Sequence, residues 1–173
     1  MKTLRHIVGT AALLSVVGLS APPCVAAPRT ITGQVIKVAD GDTLTLRNTR
    51  GKKIRVRLVG IDAPEKCQPF GQHSRASLAE LALGRHARVE VVEVDRYGRS
   101  VGLVRTGDDG ETLNRIQLRR GLAWVYARYN RDASLHALAR EARNARRGLW
   151  ADERPVEPWR WRRQYPGGKG CRR

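Results

Sequence analysis

The sequence lacks long apolar runs, is poor in aromatic side chains, carries few cysteines and has about half as many acids as bases. No stretch reaches the ~20 apolar residues that span a bilayer. The longest, Ile7 to Leu19, falls short of that length. Aromatics make up 5% of the chain, with one Phe, four Trp and four Tyr, so a surface that stacks on flat ligands has to be small and local. No internal repeat is present, which excludes a solenoid. There are 16 Asp and Glu against 33 Lys and Arg, a formal charge of +17. Such an excess directs the chain toward polyanions. Charge alone leaves nucleic acid, anionic lipid and cell-wall polymer open. At 173 residues the chain has room for one domain with a real core and is too short for two ordinary ones.

Residues 1–26 read as a signal peptide. Lys2 and Arg5 precede the apolar run, and Ala21-Pro22-Pro23-Cys24-Val25-Ala26-Ala27 supplies a small-residue cleavage site. The expected product is exported, periplasmic or secreted, and cut after Ala26, because Pro28 disfavours a site one residue later. A lipid anchor on Cys24 is the alternative, with Ala21-Pro22-Pro23 a poor approach to it. Removal of the leader leaves 31 Lys and Arg against 16 Asp and Glu, about +15. Two cysteines then remain, Cys67 and Cys171, an even number in an oxidising compartment. The expectation is an intramolecular disulfide that fastens the end of the chain beside the turn at Ala63-Pro64-Glu65. A free thiol at each position or an intermolecular bridge are the alternatives.

β-Branched residues and modest alternation predict a strand from Ile31 to Val38, a partner at Leu44 to Leu46 and a third strand from Lys53 to Ile61, together a meander. Asp40-Gly41-Asp42 reads as the first turn, with Gly41 expected at positive φ, and Asn48-Thr49-Arg50-Gly51 as the second. Ser74, Leu78, Leu81 and Ala82 fall at helical spacing before Gly84. Strands return at Ala87 to Val94 and Arg99 to Val104, joined by Asp95-Arg96-Tyr97-Gly98. A second helix runs through Leu113, Ile116 and Leu118 to Gly121, and a third through Leu135, Leu138, Ala139, Ala142 and Ala145 to Gly148. Five strands with one helix between the third and fourth is the order of an OB-type barrel. The expected class is therefore α+β, a five-stranded β-barrel with three α-helices in a domain of residues 27–150. Residues 151–173 shift to Pro, Gly, Arg and Trp without periodicity, a basic tail expected to lie extended on the surface or to be partly disordered.

One stretch concentrates the chemistry. Arg57-Leu58-Val59-Gly60-Ile61-Asp62-Ala63-Pro64-Glu65 ends an aliphatic strand in a Pro-broken turn that displays two carboxylates, with an arginine upstream of both. Taken alone it is an ordinary salt-bridged strand terminus. Three more motifs accompany it in order: Val38-Ala39-Asp40-Gly41-Asp42-Thr43, Asp95-Arg96-Tyr97-Gly98-Arg99 and Arg120-Gly121-Leu122-Ala123. With all four, the chain resembles the staphylococcal nuclease family over roughly Ile31 to Trp150. The resemblance implies a Ca²⁺-dependent phosphodiesterase that cleaves DNA and RNA to leave 3′-phosphate ends. By position, it implies that Asp42 and Asp62 ligate Ca²⁺ through their carboxylates and Ala63 through its backbone carbonyl, with Asp40 helping from just outside the ligand set. It also implies that Glu65 acts on the attacking water while Arg57 and Arg99 grip the phosphate. Ala63 stands where the best-known member carries threonine, which leaves the backbone carbonyl in place. Arg96 and Tyr97, within a motif, and Tyr126 are the candidates for substrate contact. Tyr129 and Trp124 lie in the same region as Tyr126, and Trp124 is equally suited to the core.

The residue types agree with that chemistry on their own terms. A hard cation takes carboxylate and carbonyl oxygens, and thiols and imidazoles are absent from all four motifs, which argues against zinc. Clustered carboxylates repel unless a cation sits between them. Two guanidiniums match the fork geometry of a phosphate better than lysines do. His73, His86 and His136 have no partner at ligand spacing and read as surface or packing residues. The Trp159-Arg160-Trp161-Arg162-Arg163 run either stacks on and neutralises nucleic acid or docks the tail onto the barrel. The expected partner is nucleic acid as substrate, single-stranded or breathing DNA and RNA, bound by a monomer. A non-catalytic OB module that only binds single strands is the alternative, and it would have no need of the acids. A cationic envelope-active protein would need a long basic amphipathic helix, and the segment from His136 to Arg147 looks instead like a packing helix.

Overall fold

Alternation along the first strand sets the inside of the molecule. In β1 (Arg29–Val38), Ile31, Gly33 and Val35 are buried in turn, and a bulge between Val35 and Lys37 resets the phase so that Val38 also faces in. The computed structural model describes residues 29–107, 110–126 and 132–167. The expected leader, Tyr129 and Cys171 lie outside the described residues.

β2 (Thr43–Arg47) and β3 (Lys53–Leu58) follow β1 as an antiparallel meander. β3 then pairs in parallel with β6 (Ser100–Thr106), β6 pairs antiparallel with β5 (His86–Val94), and β5 closes onto β1. The result is a closed barrel in the order β1-β2-β3-β6-β5. Val35, Leu44, Leu46, Val56, Leu58, Val89 and Val104 fill its interior. Leu78 of α1 (Gly71–Ala82) and Leu113 and Leu118 of α2 (Leu113–Arg119) join the same core, and α3 (Ala133–Asn144) adds Leu135 and Leu138. The α+β barrel read from the sequence is the observed fold. Among the described residues no helix is long and apolar enough to cross a membrane.

Three local expectations are corrected. The predicted third strand does not run to Ile61: Gly60 takes φ 76° and breaks it. Ile61–Asp62 then form a separate short strand, β4, antiparallel to β7 (Trp124–Val125). Gly41 is not at positive φ, and space is what demands a glycine there. A Cβ at Gly41 would lie 1.8 Å from Ser74 Oγ and 2.8 Å from Ala63 Cβ, so the turn presses directly on α1 and on the strand end. Nor is the described part of the tail without regular structure. Residues Pro158–Gln164 form a fourth helix, α4, with proline in its first turn, where the missing N–H costs nothing.

Candidate active site

The outward face of the barrel wall carries the site. Val56 and Leu58 point into the core, which sends Arg57 to the opposite face, level with Thr43 of β2 and Val101 of β6. Two carboxylates beside it are nearly sealed, Asp42 at 3% exposure and Asp62 at 1%. Arg57 joins them: Nη1 donates to Asp42 Oδ1 at 2.6 Å and Nη2 to Asp62 Oδ1 at 3.1 Å, with Ile61 O at 3.2 Å. Burial works against the charge on Arg57, but the charges of Asp42 and Asp62 outweigh it and hold its pKa above the ordinary arginine value.

Asp42 is fixed from several sides. The Thr43 hydroxyl donates to its Oδ1 at 2.8 Å, and the Ala63 N–H donates to its Oδ2 at 2.9 Å. Its own N–H donates to Asp40 Oδ1 at 3.1 Å. Burial, together with the charge of Asp42, pushes the Asp40 carboxyl up to about 7. The turn that carries both acids is held from beneath by α2. Gln117, fully buried, donates through Nε2 to Gly41 O at 2.8 Å and Ser74 O at 3.0 Å, and accepts from the Ser77 hydroxyl at 2.7 Å. One turn earlier, Asn114 ties Val59 O at 2.8 Å to the β6 backbone, accepting from Val104 N at 3.1 Å. Neither residue was singled out in the sequence. The available signal is that Asn114, Gln117 and Leu118 fall at i, i+3 and i+4 on one helix face, so two amides share the face of a core leucine.

Glu65 lies on the loop after β4, half-buried, its N–H donating to Gln68 Oε1 at 3.1 Å. Gln68 reaches on to Val156 O at 2.6 Å and so ties the loop to the segment before α4. From α4 itself Arg162 meets both acids of the loop: Nη2 donates to Asp62 Oδ2 at 2.7 Å, and Nη1 to Asp62 Oδ1 at 3.2 Å and Glu65 Oε1 at 2.7 Å. Burial opposes its charge too, and the hydrogen bonds and charges of Asp62 and Glu65 again win, holding its pKa above the ordinary value. Arg162 belongs to the site and was not among the expected site residues. The usable signal was the Glu157-Pro158 helix start ahead of the Trp/Arg run.

The remaining candidates form two other groups. Arg99 is bound by Asp95, Nε to Oδ2 at 2.7 Å, and lies over the Tyr97 ring at 5.6 Å. Arg96 Nη2 donates to the Tyr97 hydroxyl at 2.8 Å, and its guanidinium lies 4.9 Å from the same ring. Arg99 stands just ahead of β6, whose Val101 is in register with Arg57. Tyr126 stands by α4, 6.0 Å from the Trp159 ring. Trp124 packs edge-on against Trp150 at 4.5 Å and Trp159 at 5.9 Å, an aromatic joint between β7 and the tail. His73 and His86 are exposed and His136 half-buried.

The donor set suits a hard divalent cation in type. It offers buried carboxylates, backbone oxygens and no sulfur or imidazole, with an Asp40 carboxyl crowded upward in pKa by its neighbour. Among the described residues, no three His, Cys, Asp or Glu converge on one point that could hold a metal ion. The guanidiniums of Arg57 and Arg162 lie between the acids that would have to converge.

The comparisons with known proteins agree with this geometry. A family model described as staphylococcal nuclease homologue matches residues 55–152. A protein of Escherichia coli O157:H7 described as an uncharacterized endonuclease is 46% identical over 132 residues, covering 76% of this chain and 85% of its own. A micrococcal nuclease of Shigella flexneri is 42% identical over 76% of this chain and 80% of its own. An endonuclease of Haemophilus influenzae, also described as uncharacterized, is 41% identical over 77% of this chain and 74% of its own. A family match from mid-β3 to beyond α3, relatives aligned over three quarters of the chain and a closed five-stranded barrel lead to one conclusion: the chain belongs to the staphylococcal nuclease family.

Proposed function

We propose that the protein is a nuclease, a phosphodiesterase that hydrolyses DNA and RNA with the help of Ca²⁺ and leaves 3′-phosphate ends. The observation that carries this reading is Arg57 clasped between two buried carboxylates on the barrel's outer face. A protein that merely bound polyanions would be weakened by acids at that place. Asp42 and Asp62 would hold the ion through their carboxylates and Ala63 through its carbonyl, with Asp40 in support. When bound, Ca²⁺ supplies a Lewis acid for a phosphoryl oxygen.

The chain's own residues do the rest. Glu65 takes a proton from the water whose oxygen bonds to phosphorus. The bond from phosphorus to the 5′ oxygen breaks with its electron pair going to that oxygen, which takes a proton from solvent water and leaves as the 5′ hydroxyl. Arg57 and Arg99 match the charge that grows on the phosphoryl oxygens, Arg99 exchanging Asp95 for the phosphate. Tyr97, at 58% exposure, offers a ring to a base, flanked by Arg96. Tyr126 is a second such ring.

The same reading takes the mature protein to be an exported monomer of about +15 charge, closed by a Cys67–Cys171 disulfide. What supports the bridge is that Cys67, two residues past Glu65, is disulfide-bonded, and that α4 meets this loop through Arg162 and Glu65, nine residues ahead of Cys171 in the sequence. The test of the function is a gel assay of purified mature protein on single-stranded DNA and on RNA, with Ca²⁺ and then with excess chelator. Cleavage is expected only with Ca²⁺. Equal cleavage in chelator ends the metal-dependent reading, and retention of the strand without cleavage makes the protein a binding module.

A further inference from the structure

Among the basic residues of α4, Arg162 alone turns into the acidic pocket. Arg160 pairs locally with Glu157 and its side chain is 70% exposed, and Arg163 is exposed. The placement of Arg162 is built rather than incidental. Val156 O is held by Gln68, Pro158 is buried, and the Trp159 ring sits against Trp124 and Tyr126. These ties fix the helix so that one guanidinium covers both oxygens of Asp62 and one of Glu65. Those two carboxylates are the ones to which the proposed function gives a metal and a water. The Arg162 side chain is nonetheless 44% exposed, so it can be drawn off into solvent without unpacking a core.

We propose that Arg162 is a built-in counter-ion of the active site: it competes with the divalent cation for Asp62, occupies one carboxylate oxygen of Glu65, and so sets the cation concentration at which the site forms. The inference rests on the metal-dependent reading above. A guanidinium between two carboxylates relieves the same repulsion that a cation relieves. Both cannot use the same lone pairs at once, so binding the ion and releasing Arg162 are one linked step. Arg57 differs in kind. It is pinned within the barrel wall by Asp42, Asp62 and Ile61 O and has its own role toward phosphate.

The test measures binding of Ca²⁺ alone to the full mature chain by calorimetry, without substrate. Arg162→Gln should bind Ca²⁺ roughly ten-fold more tightly than the parent. Arg163→Gln removes the same charge from the same helix and should leave the affinity unchanged, which separates direct competition from net charge. Arg162→Lys keeps a charge without the fork and should fall between, and it serves as the reading if the glutamine variant folds poorly. Hydrogen exchange in residues 158–164 of the parent should quicken on adding Ca²⁺. Equal or weaker affinity in Arg162→Gln overturns the competition while leaving the nuclease reading intact. No uptake of Ca²⁺ by parent or variant overturns the metal site and this inference with it.

Discussion

Two places on the barrel's outer face pair arginine with aspartate, and they are built in opposite ways. At the end of β3, residues 42, 57, 62, 65 and 162 come together from separate segments, and the aspartates are almost sealed from water. At the turn between β5 and β6, Asp95 and Arg99 are four residues apart, and the turn carries an exposed ring in Tyr97. The first is a long-range cluster around two desolvated aspartates, in which removing Arg57 strands the buried charge of Asp42. The second is a local clasp whose parts can exchange partners with a ligand at little cost. On the proposed reading the cluster holds the ion and the water, and the turn keeps Arg99 and Tyr97 ready to take up the phosphate and a base.

The largest expected effects test the cluster. Arg57→Ala and Glu65→Gln should each lower kcat by about 10²–10³, with KM changed much less, because their roles concern charge that develops in the transition state. Steady-state kinetics on a single-stranded oligonucleotide separates the two parameters. A rise in KM alone for Arg57→Ala would reassign it to substrate binding and erase the contrast with the turn.

Next in size is the support under the cluster. Gln117→Leu removes the donor for Gly41 O and Ser74 O and the acceptor for the Ser77 hydroxyl, all inside the protein. Each buried group left unpaired costs about 1–3 kcal/mol, so a clear drop in the urea midpoint is expected, together with weaker activity as the Asp40-Gly41-Asp42 turn loosens. Unchanged activity in a destabilised variant would show that Gln117 holds the core and does not position the acids.

Most of the barrel was legible because its signal is local and periodic. Alternation gave the strands, and Gly84 and Gly121, both at positive φ, follow the ends of α1 and α2 as expected, whereas α3 stops at Asn144, ahead of the expected Gly148. The acids and Arg57 were legible as motif residues. Their mutual contact was not, since nothing local says that Asp42 and Ala63 share a hydrogen bond. The break at Gly60 was hidden because a glycine inside an aliphatic run signals a bend only weakly. Its partner β7 is two residues long, too short for any period to show. Gly41 was read with the right residue and the wrong cause: crowding by Ser74 and Ala63 is a tertiary fact. The tail misled through composition. Its Pro, Gly and Arg content looks disordered, while α4 is held by contacts with residues some 100 positions away, such as Asp62.

Trp159→Ala should loosen that tail while sparing the barrel. It loses edge contacts to Trp124 and a tilted contact to Tyr126, and such pairs are worth about 0.5–1.5 kcal/mol each beyond the area they bury. Protease cleavage in residues 152–164 should rise with little change in the global urea midpoint. If both move together, α4 belongs to the cooperative core of the fold.

The smallest effect belongs to the turn, and its sign with pH distinguishes the local clasp from a general surface charge. Burial pushes the Asp95 carboxyl up, but the backbone N–H groups of Arg99 and Tyr97 and the guanidinium of Arg99 outweigh it and hold its pKa below the ordinary aspartate value. A depressed carboxylate contributes stability above its unfolded pKa, near 3.9, and loses it as pH falls through the lower folded value. The pair is partly open to solvent, with side chains 22% and 17% exposed, so its contribution is a screened one of about 0.2–1 kcal/mol. Asp95→Asn should therefore lower the urea midpoint slightly at pH 7, and the gap from the parent should close as the pH is taken below about 4. A gap that stays constant down to the lowest pH would mean that the loss comes from the reshaped turn, and that Asp95 and Arg99 are not coupled through charge.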